Sequence, residues 1–156
     1  MPILSALALG AILQEAKDLD AAVLKLYSVI SGGAGEKRDW VAFKDMFAAD
    51  ARMRVVARLP DGQSRLVTLT PDDYVTRSGP SLERDGFFEK EAKRTLVSYG
   101  DLVHVWSSYE ALRKPEDEKP FMRGVNSIQL AKIEGKWKIL SIAWSSERDA
   151  GVPPPR

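Results

Sequence analysis

FMRGVNSIQLAKIEGKWKILSIAWSSER, residues 121–148, holds the pattern on which the fold turns. Apolar and polar residues alternate with a period of two on both sides of Glu134-Gly135, so this stretch reads as two long strands, 121–134 and 136–147, joined by a tight turn. Upstream, residues 102–113 set His104, Trp106 and Ser108 on one face against Val103, Val105 and Tyr109 on the other. Residues 92–99, ended by Gly100-Asp101, add a fourth strand to an antiparallel meander. The charged, proline-bracketed KPEDEKP of 114–120 has the composition of a solvated loop between strands.

The first half follows a different period. From Asp18, the residues Leu19, Val23, Leu26, Tyr27 and Ile30 fall on one helical face, and Gly32-Gly33 stops the helix. Asp39 caps a second, shorter helix carrying Trp40, Phe43 and Phe47, which ends near residues 49–50. After Asp50 the period drops to two, with Met53, Val55 and Ala57 facing one way and Arg52, Arg54, Val56 and Arg58 the other. Pro60-Asp61-Gly62 turns this strand back into a second one at 65–69. Thr70-Pro71-Asp72-Asp73 combines a capping hydroxyl, a proline in the first turn and early acidic residues, and predicts a helix to about Arg77 that Ser78-Gly79-Pro80 ends. Residues 81–91, with an exposed-looking Phe87 and Phe88, read as an irregular stretch that folds back over the core. Helices first and a meander second define an α+β fold with the helices on one face of the sheet.

Composition narrows the chemistry. The chain has 156 residues, 23 Lys plus Arg against 22 Asp plus Glu, one His and no Cys. That length suits one domain with a real core. The reading is a single domain over 17–148, a proline-rich tail over 149–156, and an N-terminal segment 1–16 that is a signal-peptide remnant or a packed helix. Its apolar run, residues 3–13, is too short to span a bilayer. A signal would place the domain outside the cytoplasm; a packed helix leaves it inside. Near-neutral charge gives no reason to expect nucleic acid as a partner. Without Cys, disulfides, thiol nucleophiles and sulfur-ligated metals are excluded, and a single His excludes multi-His metal sites. No metal and no cofactor is expected. The glycines of SGGAGEKRD follow a helix and complete no phosphate-loop pattern, so they read as helix termination.

The order of elements, with VLKLYSVISGG at 23–33, DWVAFKDMFAADARMRVV at 39–56, VHVWSSYEA at 103–111 and the stretch quoted first, resembles the nuclear transport factor 2-like superfamily, in an uncharacterised bacterial branch. The resemblance implies a strongly curved antiparallel sheet wrapped around the N-terminal helices, a cone with an internal pocket, of the kind also called cystatin-like. It also implies a homodimer through the sheet. The ketosteroid isomerase branch uses a helix tyrosine, a strand carboxylate as base and a late-strand protonated aspartate. Tyr27 matches the first, but Val55 and Gly124 stand at the other two positions. Both carboxylates are missing, which removes the base that such an isomerase needs.

The same resemblance implies a pocket of Tyr27, Met53, Val55, His104, Trp106, Ser108, Met122, Asn126, Leu140, Ile142 and Trp144, mostly apolar and suited to a small apolar or aromatic molecule. No pair of carboxylates falls on this expected face. His104, the single histidine, reads either as a general base held by Asn126 or Tyr27 or as a buried structural histidine. Arg52, Arg54 and Arg58 read as an outer-face stripe with cross-strand partners such as Glu89 or Glu91, or as a subunit boundary. The leading reading is a small-molecule-binding domain. Its alternatives are an isomerase, dehydratase or cyclase using His104 with Tyr27, and a protein-interaction domain whose pocket is filled.

Overall fold

The computed structural model describes residues 6–156. The beginning of the apolar run 3–13, and with it part of the segment read as a signal or helix, lies outside the described residues. One helix, α1 (Ala6–Ile30), is followed by α2 (Trp40–Asp45), β1 (Phe47–Arg58), β2 (Ser64–Leu69), α3 (Pro71–Asp85), β3 (Phe88–Tyr99), β4 (Leu102–Leu112), β5 (Met122–Ile133), β6 (Lys136–Ser146) and a last turn, α4 (Glu147–Ala150). The architecture is α+β. The six strands form one curved, unclosed sheet in the order β2-β1-β6-β5-β4-β3.

β3 to β6 form the antiparallel meander, and β1 with β2 an antiparallel hairpin. β1 and β6 run parallel, with Met53 beside Ile142 and Val55 beside Trp144. Alternation reveals a strand but not the direction of its partner, so the mixed character of the sheet was not readable from it. At the turn after β5, Glu134 and Gly135 have φ of 50° and 76°, the left-handed pair that a two-residue hairpin needs.

α1 begins well before Asp18, where its periodicity is first read, and three further boundaries differ from the sequence reading, two of which shape the cavity. Phe47 opens β1 instead of extending α2, because the backbone N–H of Ile139 donates to the Met46 carbonyl and draws the chain into the sheet. α3 passes through Pro80 and ends at Asp85, capped at Gly86. Its start is a capping box: the Asp73 N–H donates to Thr70 Oγ1 at 3.0 Å, and the Thr70 N–H donates to the Asp73 carboxylate at 2.9 Å. β3 begins at Phe88, four residues before its expected start at 92, and Phe87 is buried rather than exposed because it bridges to Gly32. A bulge between Glu91 and Lys93 interrupts the pairing of β3 with β4.

The core lies between the concave face of the sheet and the helices, where Val23, Leu26 and Ile30 of α1 share one buried cluster with Val105, Ile128 and Ile142. Arg38 is buried in the loop before α2, and among the described residues no carboxylate meets its guanidinium. That group donates instead to the carbonyls of Ile30 (3.1 Å), Glu36 (2.6 Å), Gly32 (2.6 Å) and Leu82 (3.1 Å). It thereby ties the end of α1 to α3, satisfying carbonyls that a helix terminus leaves unpaired. Glu83 accepts from the Arg38 backbone N–H, from Trp40 Nε1 and from Lys37 Nζ at 2.8 Å. The Lys37 ammonium, the backbone N–H and the indole together hold its carboxyl down at about 2.

Candidate functional site

Between α3 and the concave sheet lies a cavity of about 220 Å³, mostly apolar. Leu26 and Ile30 of α1, Met53 of β1, Met122 of β5, and Ile142 and Trp144 of β6 supply walls. Tyr74, Ser78, Ser81 and Leu82 come from α3; the last three belong to the part of the helix beyond its expected end. The Tyr74 ring stacks on Phe43 at 5.3 Å and meets the edge of Trp144 at 6.2 Å. Beyond Tyr109, Met122 and Trp144 lies an outer depression of about 500 Å³ that adds Val55, Phe121, Arg123 and Glu147 to Asp149. Arg123 there is clamped by both oxygens of Glu147.

Two carboxylates stand on the inner side of β3, where the sequence reading placed none. Glu89 lines the cavity. No cation pairs with it among the described residues, and its surroundings are Tyr27 of α1, Tyr74 of α3, Tyr109 of β4 and Asn126 of β5. Its carboxyl group is enclosed, and desolvation pushes its pKa up to about 8, opposed only by a hydrogen bond from Asn126 Nδ2 at 3.4 Å. Glu91, two residues on, lies behind the wall against Arg94, with Nε and Nη2 at 2.9 and 2.8 Å from its Oε1. Neither glutamate meets the arginine stripe of β1, since β3 and β1 lie on opposite sides of the sheet centre.

Burial raises the phenols as well. Tyr27 is pushed up to about 12. Tyr74 and Tyr109 also rise, first through burial and then through the nearby Glu89 charge. No hydrogen bond engages the Tyr74 or Tyr109 hydroxyl among the described residues. Gly124 lies opposite Tyr109 in the β4–β5 register. A Cβ there would sit 2.6 Å from the Tyr109 hydroxyl and closer still to the Ser145 carbonyl. The position at which a donor carboxylate was sought is therefore occupied by a phenol reaching across from the neighbouring strand.

The expected site residues divide. Met53, Met122, Asn126, Ile142 and Trp144 come together at the cavity. Tyr27 stands just behind it, bonded to Asn126 Nδ2 at 3.1 Å. Val55 lines the outer depression instead. Leu140 falls at a bulge where β6 changes register against β5, and it lines neither space. His104, Trp106 and Ser108 belong to the other face of β4, because Val103, Val105, Ser107 and Tyr109 point inward. His104 Nε2 is 3.0 Å from the Ser127 hydroxyl, Trp106 is 45% exposed and lies beside Pro153 to Pro155, and the Ser108 hydroxyl donates to the Lys93 carbonyl.

No protein-family model matches the chain, and no curated protein matches it. Solved structures do. A nuclear transport factor 2-like protein with a cystatin-like fold from Novosphingobium aromaticivorans superposes with a TM-score of 0.68 at 12% identity, covering 92% of this chain and 91% of that one. A protein of unknown function with a cystatin-like fold from Nostoc punctiforme gives 0.63 at 15% identity over 97% and 98%. A putative scytalone dehydratase from N. aromaticivorans gives 0.61 at 14% identity over 86% and 85%. The chain has the nuclear transport factor 2-like, or cystatin-like, fold.

Proposed function

We propose that this protein binds a small, largely apolar molecule in the cavity under α3 and acts on it by general acid–base catalysis through Glu89. The observation that carries the reading is a carboxyl group without a cation, enclosed among phenols at the wall of an apolar cavity. Such a group is protonated at neutral pH and donates to a carbonyl or a leaving hydroxyl; once ionised, it takes a proton from carbon beside a carbonyl. The Tyr74 and Tyr109 hydroxyls supply further donors at the same wall. These are the parts that an isomerisation or a dehydration uses, and a putative dehydratase among the structural neighbours agrees with them. His104, on the opposite face, takes no part. Exposed Val97, Leu102 and Trp106 on the outer sheet face support the homodimer that the resemblance implies, which sedimentation analysis tests.

The test is proton abstraction from 5-nitrobenzisoxazole, a compact aromatic reporter whose ring opening needs only a base. Saturable turnover is expected, rising with pH through an apparent pKa near 8. Glu89→Gln is expected to lower it by about 100-fold. Equal rates in the two proteins, or no saturable turnover, would sink the acid–base reading.

A further inference from the structure

Among the described residues, Asn126 is the only polar group within hydrogen-bonding distance of the Glu89 carboxyl, and a chain of hydroxyls decides which end of its amide that carboxyl sees. The chain starts outside the cavity. Asp20 accepts from Arg94 Nη1 at 2.6 Å, and Arg94 grips Glu91 through Nε and Nη2. The Ser107 hydroxyl donates to Glu91 Oε2. Ser107 lies 2.7 Å from the Tyr27 hydroxyl, which in turn lies 3.1 Å from Asn126 Nδ2.

Counting protons fixes every direction in this chain. An ion-paired carboxylate only accepts, so the single Ser107 proton goes to Glu91. The Tyr27 proton must then go to Ser107, since Ser107 has none left to give. Tyr27 therefore accepts from Asn126, and only the amide nitrogen can donate there. The second proton of that nitrogen points at Glu89 Oε1. When Glu89 is neutral, its proton is left on Oε2, which meets no protein acceptor among the described residues.

We propose that Glu91 is a positioning residue: through Ser107, Tyr27 and Asn126 it keeps the proton of neutral Glu89 on the free oxygen, so that the cavity selects molecules bearing an acceptor oxygen, such as ketones. The proposal rests on the reading of Glu89 as the acid–base group. It adds a partner that touches neither the cavity nor the ligand. Replacing Glu91 by Gln keeps the shape and reverses the polarity. The Gln carbonyl goes to the Arg94 cation and its amino group to Ser107. Ser107 then donates to Tyr27, Tyr27 donates to Asn126 Oδ1, and the turned amide presents its oxygen to Glu89. Neutral Glu89 now donates to Asn126 and turns away from the cavity.

The experiment is an NMR titration of the Glu89 carboxyl carbon in the full chain, in the unsubstituted protein, Glu91→Gln, Tyr27→Phe and the double variant. The relay predicts that Glu91→Gln raises the Glu89 pKa by about one unit, since the neutral acid gains an acceptor. The field of Glu91 predicts the opposite sign, because removing a neighbouring negative charge lowers a carboxyl pKa. A fall or no change overturns the proposal, as does an upward shift that persists when Tyr27 is Phe. If Glu91→Gln fails to fold, Ser107→Ala asks the same question: Tyr27 loses its acceptor and turns to Asn126 Oδ1, with the same upward shift expected. Binding supplies a second readout at pH 6. Glu91→Gln is expected to weaken cyclohexanone about tenfold and leave cyclohexane unchanged, and equal effects on the two overturn the proposal. Titration of Glu89 in the ordinary carboxylate range would overturn this inference together with the acid–base reading. Titration near 8 with the wrong response to Glu91→Gln overturns the role of Glu91 alone.

Discussion

Glu83 and Glu89 stand close in sequence at either side of the junction between α3 and β3, yet the fold treats them in opposite ways. Glu83 collects a lysine, an indole and a backbone N–H, and its carboxyl is held at about 2. Glu89 collects phenols and a single amide hydrogen bond, and its carboxyl rises to about 8. The region around Glu83 is closed: Arg38 gives its donors to backbone carbonyls and fastens α1 to α3. The region around Glu89 is open: Glu89, Tyr74 and Tyr109 line a cavity. A polar group that is fully satisfied reports on architecture, and one left in want of a partner reports on a ligand.

The comparison breaks most visibly if Arg38 is removed. Arg38→Met removes the guanidinium that donates to the carbonyls of Ile30, Glu36 and Leu82 and leaves Gly32 only its bond from the Phe87 N–H, and we expect a loss of about 4 kcal/mol or more in urea unfolding. A loss under about 1 kcal/mol would show that water satisfies those carbonyls equally well.

Glu89 should behave in the reverse sense. The unfolded chain ionises this carboxyl near 4.5 and the fold only near 8, so the unfolded state binds fewer protons in that window and stability falls as pH rises through it. Glu89→Gln abolishes that loss. The variant should match the parent at pH 4 and exceed it by about 3 kcal/mol at pH 9, a figure reduced for the partial exposure of the residue. Equal stabilities at pH 9 would mean that the carboxyl is solvated in the fold.

α3 belongs to both regions, since Leu82 and Glu83 serve Arg38 while Tyr74 and Ser78 roof the cavity. Thr70→Ala removes its capping hydroxyl and should cost about 1 kcal/mol, the smallest of these effects. Hydrogen exchange should quicken at the amides of the first turn of α3 and leave the amides of its last turn, beside Arg38, unchanged. Faster exchange throughout would mean that the helix opens as one unit.

The meander, the hairpin and the start of α3 were legible because each rests on local chemistry: a two-residue period, a Pro-Asp-Gly turn, a capping box. The strands of the cavity wall are legible as strands, but in β4 the sequence points to His104 and Trp106 as the inward face, whereas Ser107 and Tyr109 are the residues turned inward. Alternation gives two faces and does not say which is covered. Glu89 was hidden for a related reason. Phe88-Glu89-Lys90-Glu91 does alternate, but glutamates facing inward contradict the usual sense of the pattern, and the bulge after Glu91 breaks its continuity. Proline and glycine in Ser78-Gly79-Pro80 concealed the part of α3 that roofs the cavity. Arg38 announces nothing in sequence, because its partners are backbone carbonyls that every residue type possesses.

The parallel seam between β1 and β6 governs the order in which the molecule can be made. β1 leaves the ribosome early with β2, but its other neighbour is the last strand of the sheet, and the pairs along the seam join Met53 to Ile142 and Val55 to Trp144. Long-range closure of this kind is slow, since the chain must be searched before any contact repays it. Until β6 is inserted between β1 and β5, both of those strands expose an unpaired edge and the cavity lacks the wall formed by Ile142 and Trp144. A nascent chain halted before residue 136 therefore holds two separate sheet fragments with open edges, the state in which this protein is most exposed to aggregation and in greatest need of a chaperone.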